Sequence, residues 1–150
     1  MAPDTTFEPV KRSVTVSRDA AEAFRIFTAD MRSWWPLATH SVGRANAEIC
    51  TFEAKEGGKI YELGRDGVVH IWGLVTVWDP PNRLVFSWFP GRDESAAQEV
   101  EIQFVDVDGG SRVDLEHRGW ETLGDKAETT RAGYETGWVP VLDRYAARCG

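Results

Sequence analysis

The sequence predicts an α+β fold in which a curved antiparallel β-sheet wraps around a long C-terminal α-helix. From residue 47 to residue 118, runs of β-branched and aromatic residues alternate with short turns that contain Gly or Pro, a pattern typical of an antiparallel meander. After residue 127, aromatic and apolar residues recur at spacings of three and four, which is the period of an α-helix. Because an antiparallel sheet of this kind buries one face, we expect the helix to cover it.

The first predicted elements are a strand and an amphipathic helix. Residues 10–16 place four side chains on one face of a strand: Val10, Arg12, Val14 and Val16. Ser17 is a favoured N-cap residue, and the apolar residues that follow it at helical spacing are Ala20, Phe24, Phe27 and Met31. Because Pro36 stops a helix, we expect this one to end near residues 32–35, before an irregular segment that reaches residue 46.

A β-hairpin at residues 75–88 is the centre of the predicted sheet. Its turn is Asp79-Pro80-Pro81-Asn82, because proline fixes φ, lacks an N–H group and pushes the preceding residue into extended geometry. Three further turns are predicted at Gly57-Gly58, Asp66-Gly67 and Asp108-Gly109-Gly110-Ser111. Together the turns delimit six strands, at residues 49–54, 59–64, 68–78, 84–89, 99–107 and 112–118.

Side-chain alternation assigns the faces of the last two strands but not those of strands 59–64 and 68–78. In the last two strands the inward side chains are Val100, Ile102, Phe104, Val113, Leu115 and His117. For strand 68–78 two interpretations remain open, because a shift of one residue exchanges the faces. If His70 points inward, so do Trp72, Leu74 and Thr76. The alternative inward set is Val69, Ile71, Val75 and Val77.

The C-terminal helix carries an aromatic stripe, made of Ala127, Arg131, Tyr134, Trp138, Leu142, Tyr145 and Cys149. Pro140 lies inside the helix, where proline costs about 3 kcal/mol. Burial of each large apolar side chain contributes roughly 1.5 to 3 kcal/mol, so we predict that the helix continues through Pro140 with a bend. Gly133 and Gly137 lie one turn apart beside the stripe, which indicates either close approach of another element or the empty space of a pocket.

Composition limits the classes of function. A chain of 150 residues with 42% hydrophobic residues is predicted to form one domain over residues 1–150, with about residues 1–8 disordered. The net charge of −7 without a basic cluster disfavours nucleic acid and membrane partners. The N-terminus does not resemble a signal peptide, so we expect a cytoplasmic protein. Cys50 and Cys149 show neither disulfide nor zinc-site spacing, and two reduced thiols are predicted.

The order strand, helix, six-stranded meander and long helix is that of the helix-grip fold, and several motifs resemble a superfamily with this fold. They are WWP at residues 34–36, GGKIYE at 57–62, GLVTVWDPPNRLVFSW at 73–88, LEHRGW at 115–120, and GW at 137–138 followed by VL at 141–142. In order and spacing they resemble the SRPBCC or START-like superfamily, which includes relatives of the birch-pollen allergen and of polyketide cyclases. Within it, the chain resembles the family related to the activator of heat-shock-protein-90 ATPase.

This resemblance covers nearly all of the chain after the first few residues. It implies a sheet curled around the C-terminal helix with a cavity between them. It implies no single reaction, because members include binders, carriers, cyclases and a co-chaperone, and there is no universal catalytic set to transfer.

His117 and Glu62 are the candidates for acid–base chemistry. His117 falls on the inward face, where a neutral imidazole can orient a ligand or act as a base, although a core histidine with hydrogen-bond partners is the favoured interpretation. Glu62 and His70 lie on adjacent predicted strands, and we expect this cross-strand pair to face solvent. His40 and Ser41 are adjacent but lack an oriented acid, so they form no triad.

The seven tryptophans are the strongest signal in the composition. Such rings suit flat or apolar ligands through stacking and apolar contact. The residues expected to bind ligand are Trp34, Trp35, Trp88, His117, Tyr134 and Trp138. The sequence has no metal-ligand spacing and no phosphate-binding loop, so neither a metal nor a cofactor is expected.

The predicted function is therefore the binding of a hydrophobic or aromatic small molecule between the sheet and the C-terminal helix, without catalysis. One alternative is an enzyme similar to polyketide cyclases or aromatases that uses His117, with Glu62, as acid and base. Another is an interaction module similar to a co-chaperone, with a protein partner or a second copy of the chain. An inward pair of His and carboxylate favours the enzyme. A closed cavity with a polar exterior favours the binder, and an exposed apolar patch on the sheet edge favours the interaction module.

Overall fold

The computed structural model describes residues 7–150. The elements in this part of the chain are β1 (Val10–Val16), α1 (Ala20–Thr28), β2 (Ala47–Phe52), β3 (Lys59–Gly64), β4 (Val69–Asp79), β5 (Arg83–Trp88), β6 (Gln98–Val107), β7 (Gly110–Arg118) and α2 (Ala127–Cys149). Residues 1–6, which belong to the stretch predicted as disordered, lie outside the described residues. Phe7 packs against the core, and the Glu8 carbonyl accepts a hydrogen bond from Arg131 Nε at 2.6 Å.

The seven strands form one antiparallel sheet in the order β1-β7-β6-β5-β4-β3-β2. The sheet curls into a half-barrel, and α2 is the long C-terminal helix that accompanies it. The predicted α+β helix-grip fold is therefore confirmed. The central hairpin is also present, because β4 and β5 pair up to Asp79 and Arg83 across the proline turn.

The core lies between the inner face of the sheet and the two helices. The six inward residues predicted for β6 and β7 are all buried. On α1, the Phe24 ring lies 4.9 Å from Trp78 and 5.0 Å from Phe104, measured between ring centroids. The Tyr145 hydroxyl of α2 donates to the Ala23 carbonyl at 2.7 Å, so the helices are joined to each other as well as to the sheet. No helix in the described part of the chain is long and apolar enough to span a bilayer.

Two register shifts in β4 explain why side-chain alternation could not assign its faces. One lies opposite Ile60 and Tyr61 and inserts Trp72, and the other inserts Thr76 opposite β5. A bulge breaks the period of two, so Trp72 and Val75, from the two alternative sets, are both buried. Neither predicted set is correct as a whole. Gly73 permits the close approach of the neighbouring strand, since a Cβ at this position would collide with the Ser87 carbonyl oxygen.

The first and last residues of helix α1 differ from those predicted. Its N-cap is Asp19, whose carboxylate accepts from the Glu22 N–H at 2.9 Å, whereas the Ser17 hydroxyl donates to the Gly150 carbonyl. The α-helix ends at Thr28, and a short 3₁₀ turn follows at Met31–Ser33. Trp34 Nε1 donates to the Ile26 carbonyl at 2.8 Å, which satisfies a carbonyl group near the helix end.

Helix α2 continues through Pro140, as predicted, and Pro140 itself is exposed. Most of the buried side chains of α2 belong to its second half, from Trp138 to Cys149. They include Val141, which is not part of the predicted stripe. The first half of α2 is less covered, with Tyr134 half-buried, and this difference leaves room for a cavity beside it.

Candidate functional site

A cavity of about 560 Å³ lies between the sheet and the first half of α2. It is within the usual range of roughly 300 to 1,000 Å³ for small-molecule sites. Its wall is formed by strands β4 and β5, by α2, by the connection after β5, and by residues 36–46, which we call the entrance loop. Most of the loop side chains are at least partly exposed, so the loop lies where the cavity opens to solvent.

Four tryptophans form the buried end of the cavity, and we call them the indole cluster: Trp35, Trp72, Trp88 and Trp138. Each ring contacts at least two of the others. The centroid distances are 5.2 Å from Trp35 to Trp72, 5.8 Å from Trp72 to Trp88 and 5.8 Å from Trp88 to Trp138. Such tilted and edge-on pairs are the favoured geometries of aromatic rings. The cluster therefore presents a rigid aromatic surface to whatever occupies the cavity.

Two glycines leave empty space on the side of α2 that faces the cavity. Gly133 and Gly137 both line the cavity, and a Cβ placed on either would meet no atom within 4 Å. Glycine costs about 1 kcal/mol relative to alanine inside a helix, and here no close approach of another element requires it. Of the two explanations derived from the sequence, the structure supports the empty space.

A buried carboxylate connects the entrance loop to the sheet. Glu62 of β3 is fully buried and accepts three hydrogen bonds. They come from the Val42 N–H at 2.6 Å, the Gly43 N–H at 2.9 Å and Trp72 Nε1 at 2.7 Å. A charge buried in this way is stable only with such donors. The prediction that Glu62 and His70 face solvent as a pair is therefore wrong for Glu62, although the two are cross-strand partners.

The reason for this error is the position of the donors. In β3, Glu62 lies on the same face as Ile60, which is fully buried. The opposite face carries Tyr61 and Leu63 and is also apolar, so the pattern does not show which face is inward. A carboxylate on the inward face requires donors, and two of the three for Glu62 come from an irregular loop about 20 residues earlier in the chain. The sequence offers no pattern that identifies them.

His117 lies in the core, behind the cavity wall. Its Nδ1 accepts from Trp138 Nε1 at 3.0 Å, and its Nε2 lies 3.3 Å from Gln98 Oε1, to which it donates. The rings of Trp120 and Tyr134 pack against the imidazole, with centroids at 4.1 and 4.7 Å. Burial lowers the pKa of His117 from 6.5 to about 3, so the imidazole is neutral at physiological pH.

Tyr134 places a hydroxyl group beside the indole cluster on the cavity wall. Its hydroxyl oxygen accepts from Trp88 Nε1 at 3.2 Å, and burial raises the pKa of the phenol. The O–H therefore remains protonated and can donate a hydrogen bond. A ligand carbonyl or ether oxygen in the cavity would be a suitable acceptor.

The structure brings together four of the six residues predicted to bind ligand. Trp35, Trp88, Tyr134 and Trp138 line the cavity. Trp34 and His117 do not line it. Trp34 instead packs against Tyr145, at 5.1 Å between ring centroids, and donates to α1. His117 faces inward as predicted, but its nitrogen atoms are both occupied.

Sequence reasoning missed Trp72 and the entrance-loop residues among the cavity lining. The sequence left the direction of the Trp72 side chain undecided, and the structure shows that Trp72 is the residue inserted by a bulge in β4. The loop contributes Thr39, His40, Ser41, Val42 and Arg44. Their only signal in the sequence is the position of an irregular polar segment directly after the WWP motif, and such a segment does not show which way it folds.

The outer face of the sheet differs between its two halves. On β6 and β7 it is charged, and the Arg118 guanidinium forms ion pairs with Glu99, Glu101 and Glu116. On β2, β3 and β4 it is mostly apolar, because cross-strand pairing aligns Ile49 with Leu63 and Val69, and Tyr61 with Ile71. Val69 and Ile71 are 51% and 37% exposed. We call this group the outer apolar patch.

The two cysteines, Cys50 and Cys149, are free and buried. Burial raises the pKa of the Cys50 thiol to about 12, so this thiol is not a nucleophile at neutral pH. Within residues 7–150, no group of three or more His, Cys, Asp or Glu side chains is placed to hold a metal ion.

Comparison with known proteins identifies the family. A family model described as "Activator of Hsp90 ATPase homolog 1-like protein" matches residues 18–148. The chain belongs to this AHSA1 family. No curated protein matches the sequence significantly.

Three solved structures illustrate the range of similar proteins. An anthrahydroquino-γ-pyrone synthase, Txn09, is 31% identical over 96% of this chain and 98% of its own, with a TM-score of 0.65. CalC from Micromonospora echinospora, a self-sacrificing resistance protein, is 27% identical over 97% and 96%, with a TM-score of 0.68. The Aha1 dimer from Colwellia psychrerythraea is 16% identical over 93% and 94%, with a TM-score of 0.68, and shows similarity of fold.

The burial of His117 predicts a specific pH dependence of stability. Between pH 6.5 and about 3, the unfolded chain binds a proton at this residue that the folded chain does not, so stability is complete above pH 6.5 and falls as the pH falls. From pH 7 to pH 5 this group alone should remove about 2 kcal/mol from the free energy of unfolding. His117→Gln should lack this part of the pH dependence, as measured by urea denaturation.

The control is His40→Gln, which replaces a partly exposed histidine of the entrance loop. It should keep the wild-type difference in unfolding free energy between the two pH values. Parallel curves for wild type and His117→Gln would show that His117 is not held neutral by burial.

The three hydrogen bonds of Glu62 predict that this residue stabilises the entrance loop. Glu62→Gln replaces one carboxylate oxygen with an NH₂ group, which faces N–H donors, so we expect a loss of about 1 to 3 kcal/mol in unfolding free energy. Under native conditions, trypsin should cleave after Arg44 faster than in wild type. The control is Glu48→Gln on the exposed side of β2, which should leave both values unchanged. Equal cleavage rates in Glu62→Gln and wild type would contradict the role assigned to Glu62.

Proposed function

We propose that this chain is a cytoplasmic, single-domain binding protein that holds a flat hydrophobic or aromatic molecule in the cavity between the sheet and α2. The observation that carries the proposal is the pairing of the indole cluster with the open glycine face of α2. Rigid aromatic rings on one side and two missing side chains on the other leave a space suited to a planar ligand.

The polar groups of the cavity support binding with a defined orientation. The Tyr134 hydroxyl offers one donor near the indole cluster, and the entrance loop offers hydroxyl and imidazole groups where the cavity opens. A few polar groups in a mainly apolar cavity are typical of ligand sites, where they set orientation and specificity. We therefore expect an aromatic ligand with at least one oxygen acceptor at its buried end.

The relatives agree with this ligand class. The synthase that is 31% identical is named for an anthrahydroquino-γ-pyrone, which is a fused-ring oxygenated aromatic compound. The resistance protein that is 27% identical shares the fold over nearly its whole length. The similarity to the synthase supports a small-molecule function for this chain.

Acid–base catalysis by His117 is not part of this proposal. A general base must reach the proton that it removes, but Trp138 and Gln98 occupy both nitrogens of His117, and the cavity does not include it. Glu62 is likewise held by three N–H donors. The pair predicted for a cyclase-like enzyme is therefore unavailable in this geometry, and we expect ligand to be recovered chemically unchanged.

Filling the cavity from α2 should abolish binding without unfolding the protein. In Gly137→Leu the new side chain enters space in which a Cβ meets no atom within 4 Å, so the helix should gain stability from the loss of glycine. For wild type, a flavonoid or anthraquinone that binds should raise the unfolding free energy by about 2.7 kcal/mol at a hundredfold excess over its Kd. For the variant, thermal denaturation with the same compound should show no increase in unfolding free energy.

The matched control is Ala132→Leu, at an exposed position of the same helix that does not line the cavity. It should bind like wild type. If no aromatic compound from a broad panel stabilises wild type, or if Gly137→Leu binds as well as Ala132→Leu, the cavity is not the binding site.

A second candidate function, interaction with a protein, is favoured by the outer apolar patch. An exposed apolar area on one half of a sheet is typical of an interaction surface, and the family name refers to activation of an Hsp90 ATPase. In this alternative, an Hsp90-type chaperone would bind the patch on β2, β3 and β4. A second copy of this chain is the other partner to test there.

This candidate predicts that the chain raises the ATPase rate of a purified Hsp90-type chaperone and that Val69→Lys with Ile71→Lys removes the effect. The control pair is Val105→Lys with Val107→Lys, which are 39% and 38% exposed at the end of β6. Sedimentation at increasing concentration tests for a dimer with the same variants. Absence of both ATPase stimulation and association would leave small-molecule binding as the function.

A further inference from the structure

The charge distribution of the cavity narrows the ligand class beyond an aromatic molecule. The protein has 24 Asp and Glu side chains and 17 Lys and Arg side chains, so acidic residues outnumber basic ones among its charged side chains. Yet among the described residues that line the cavity, none is Asp, Glu or Lys, and Arg44 carries the one permanent charge. The wall of this acidic protein is therefore neutral with a single cation at its entrance.

Arg44 is free to bind a ligand. Its guanidinium forms no ion pair with any residue in the described part of the chain, whereas other arginines such as Arg118 and Arg148 are paired. The side chain is exposed at the opening of the cavity. A guanidinium with all its donors available matches the two oxygens of a carboxylate.

The backbone holds Arg44 at this position at some conformational cost. Arg44 has a φ of +52° and is the one non-glycine residue with a positive φ among the described residues. Its N–H donates to the Ser41 hydroxyl at 2.8 Å, and the two residues before it are bound through their N–H groups to Glu62. Backbone strain of this kind persists where surrounding contacts enforce it and is concentrated at functional sites.

The nearby carboxylate of Glu62 does not cancel the cation. Its oxygens are directed at the Val42 and Gly43 N–H groups and at the Trp72 indole, and all three contacts are 2.9 Å or shorter. Trp72 also separates Glu62 from the cavity, which Glu62 does not line. An anion at the entrance would thus meet the guanidinium of Arg44 rather than an exposed carboxylate.

We propose that the cavity selects aromatic molecules that carry an anionic group, such as a carboxylate or an ionised phenol, and that Arg44 binds this group at the entrance. The aromatic part lies on the indole cluster, with an oxygen acceptor at Tyr134, and the anionic end points toward the entrance loop. This inference rests on the proposed binding function and specifies its ligand class.

The test compares anthraquinone carboxylate with the carboxamide substituted at the same ring position, by isothermal titration calorimetry. The two probes have nearly the same shape and differ in charge. Wild type should bind the carboxylate about twofold to fivefold more tightly at low salt, and the preference should decrease at high salt because the guanidinium is exposed. Arg44→Gln should bind both probes with the affinity of wild type for the carboxamide, and Arg44→Lys should keep part of the preference.

The control is Arg65→Gln, which makes the same change in net charge at an exposed turn outside the cavity. It should keep the wild-type preference. Equal binding of the two probes by wild type, or an unchanged preference in Arg44→Gln, would overturn the role of Arg44 while the cavity remains the binding site. If neither probe binds wild type but neutral aromatic compounds do, anion selection is wrong; if no aromatic compound binds, the proposed function itself fails.

Discussion

The position of α2 depends on a buried hydrogen-bond chain that begins at Trp138. Its indole donates to His117, and His117 donates to Gln98. All three side chains are buried, so the loss of any one leaves a polar group without a partner in the core, which costs more than the bond itself contributes. These hydrogen bonds therefore hold the middle of α2 at a fixed distance from β6 and β7. From Trp138 onward the helix packs closely in the core, whereas the turns before Trp138 are less buried, and the cavity lies beside those turns.

The same arrangement explains why cavity-lining residues and core residues are hard to separate. Trp138 is at once a donor to His117, a member of the indole cluster and a wall of the cavity. On the other side, Trp72 donates to Glu62, and Glu62 also accepts from the entrance loop. The aromatic wall and the loop are thus parts of one hydrogen-bonded framework, and the shape of the cavity is determined before any ligand enters.

Much of the fold could be predicted from the sequence because local signals agree with the final structure. Turn residues separate the strands, the alternation in β6 and β7 is regular, and the stripe on α2 has a clear period. These signals fail where the structure is set by distant contacts. The bulge at Trp72 in β4 places Trp72 and Val75 on one face, and no local pattern of β-branched or aromatic residues marks a bulge.

The site was less predictable than the fold for a similar reason. The aromatic wall follows from composition and helix spacing, so Trp35, Trp88, Tyr134 and Trp138 could be named in advance. The inward face of β7 could also be identified, but not that Trp138 and Gln98 occupy both nitrogens of His117. Polar partners of this kind come from residues far apart in the chain, and hydrogen bonding between them has no sequence period.

The compactness of the indole cluster has a spectroscopic consequence. Its ring centroids are separated by 5.2 to 6.2 Å in the pairs that touch, a distance at which excited states of neighbouring indoles couple and energy passes rapidly between them. We therefore expect an exciton couplet from the strong far-ultraviolet transition of these rings in circular dichroism. A change in the surroundings of one ring should therefore alter the absorption and emission of its neighbours, so the spectrum of the indole cluster reports on the whole aromatic wall of the cavity.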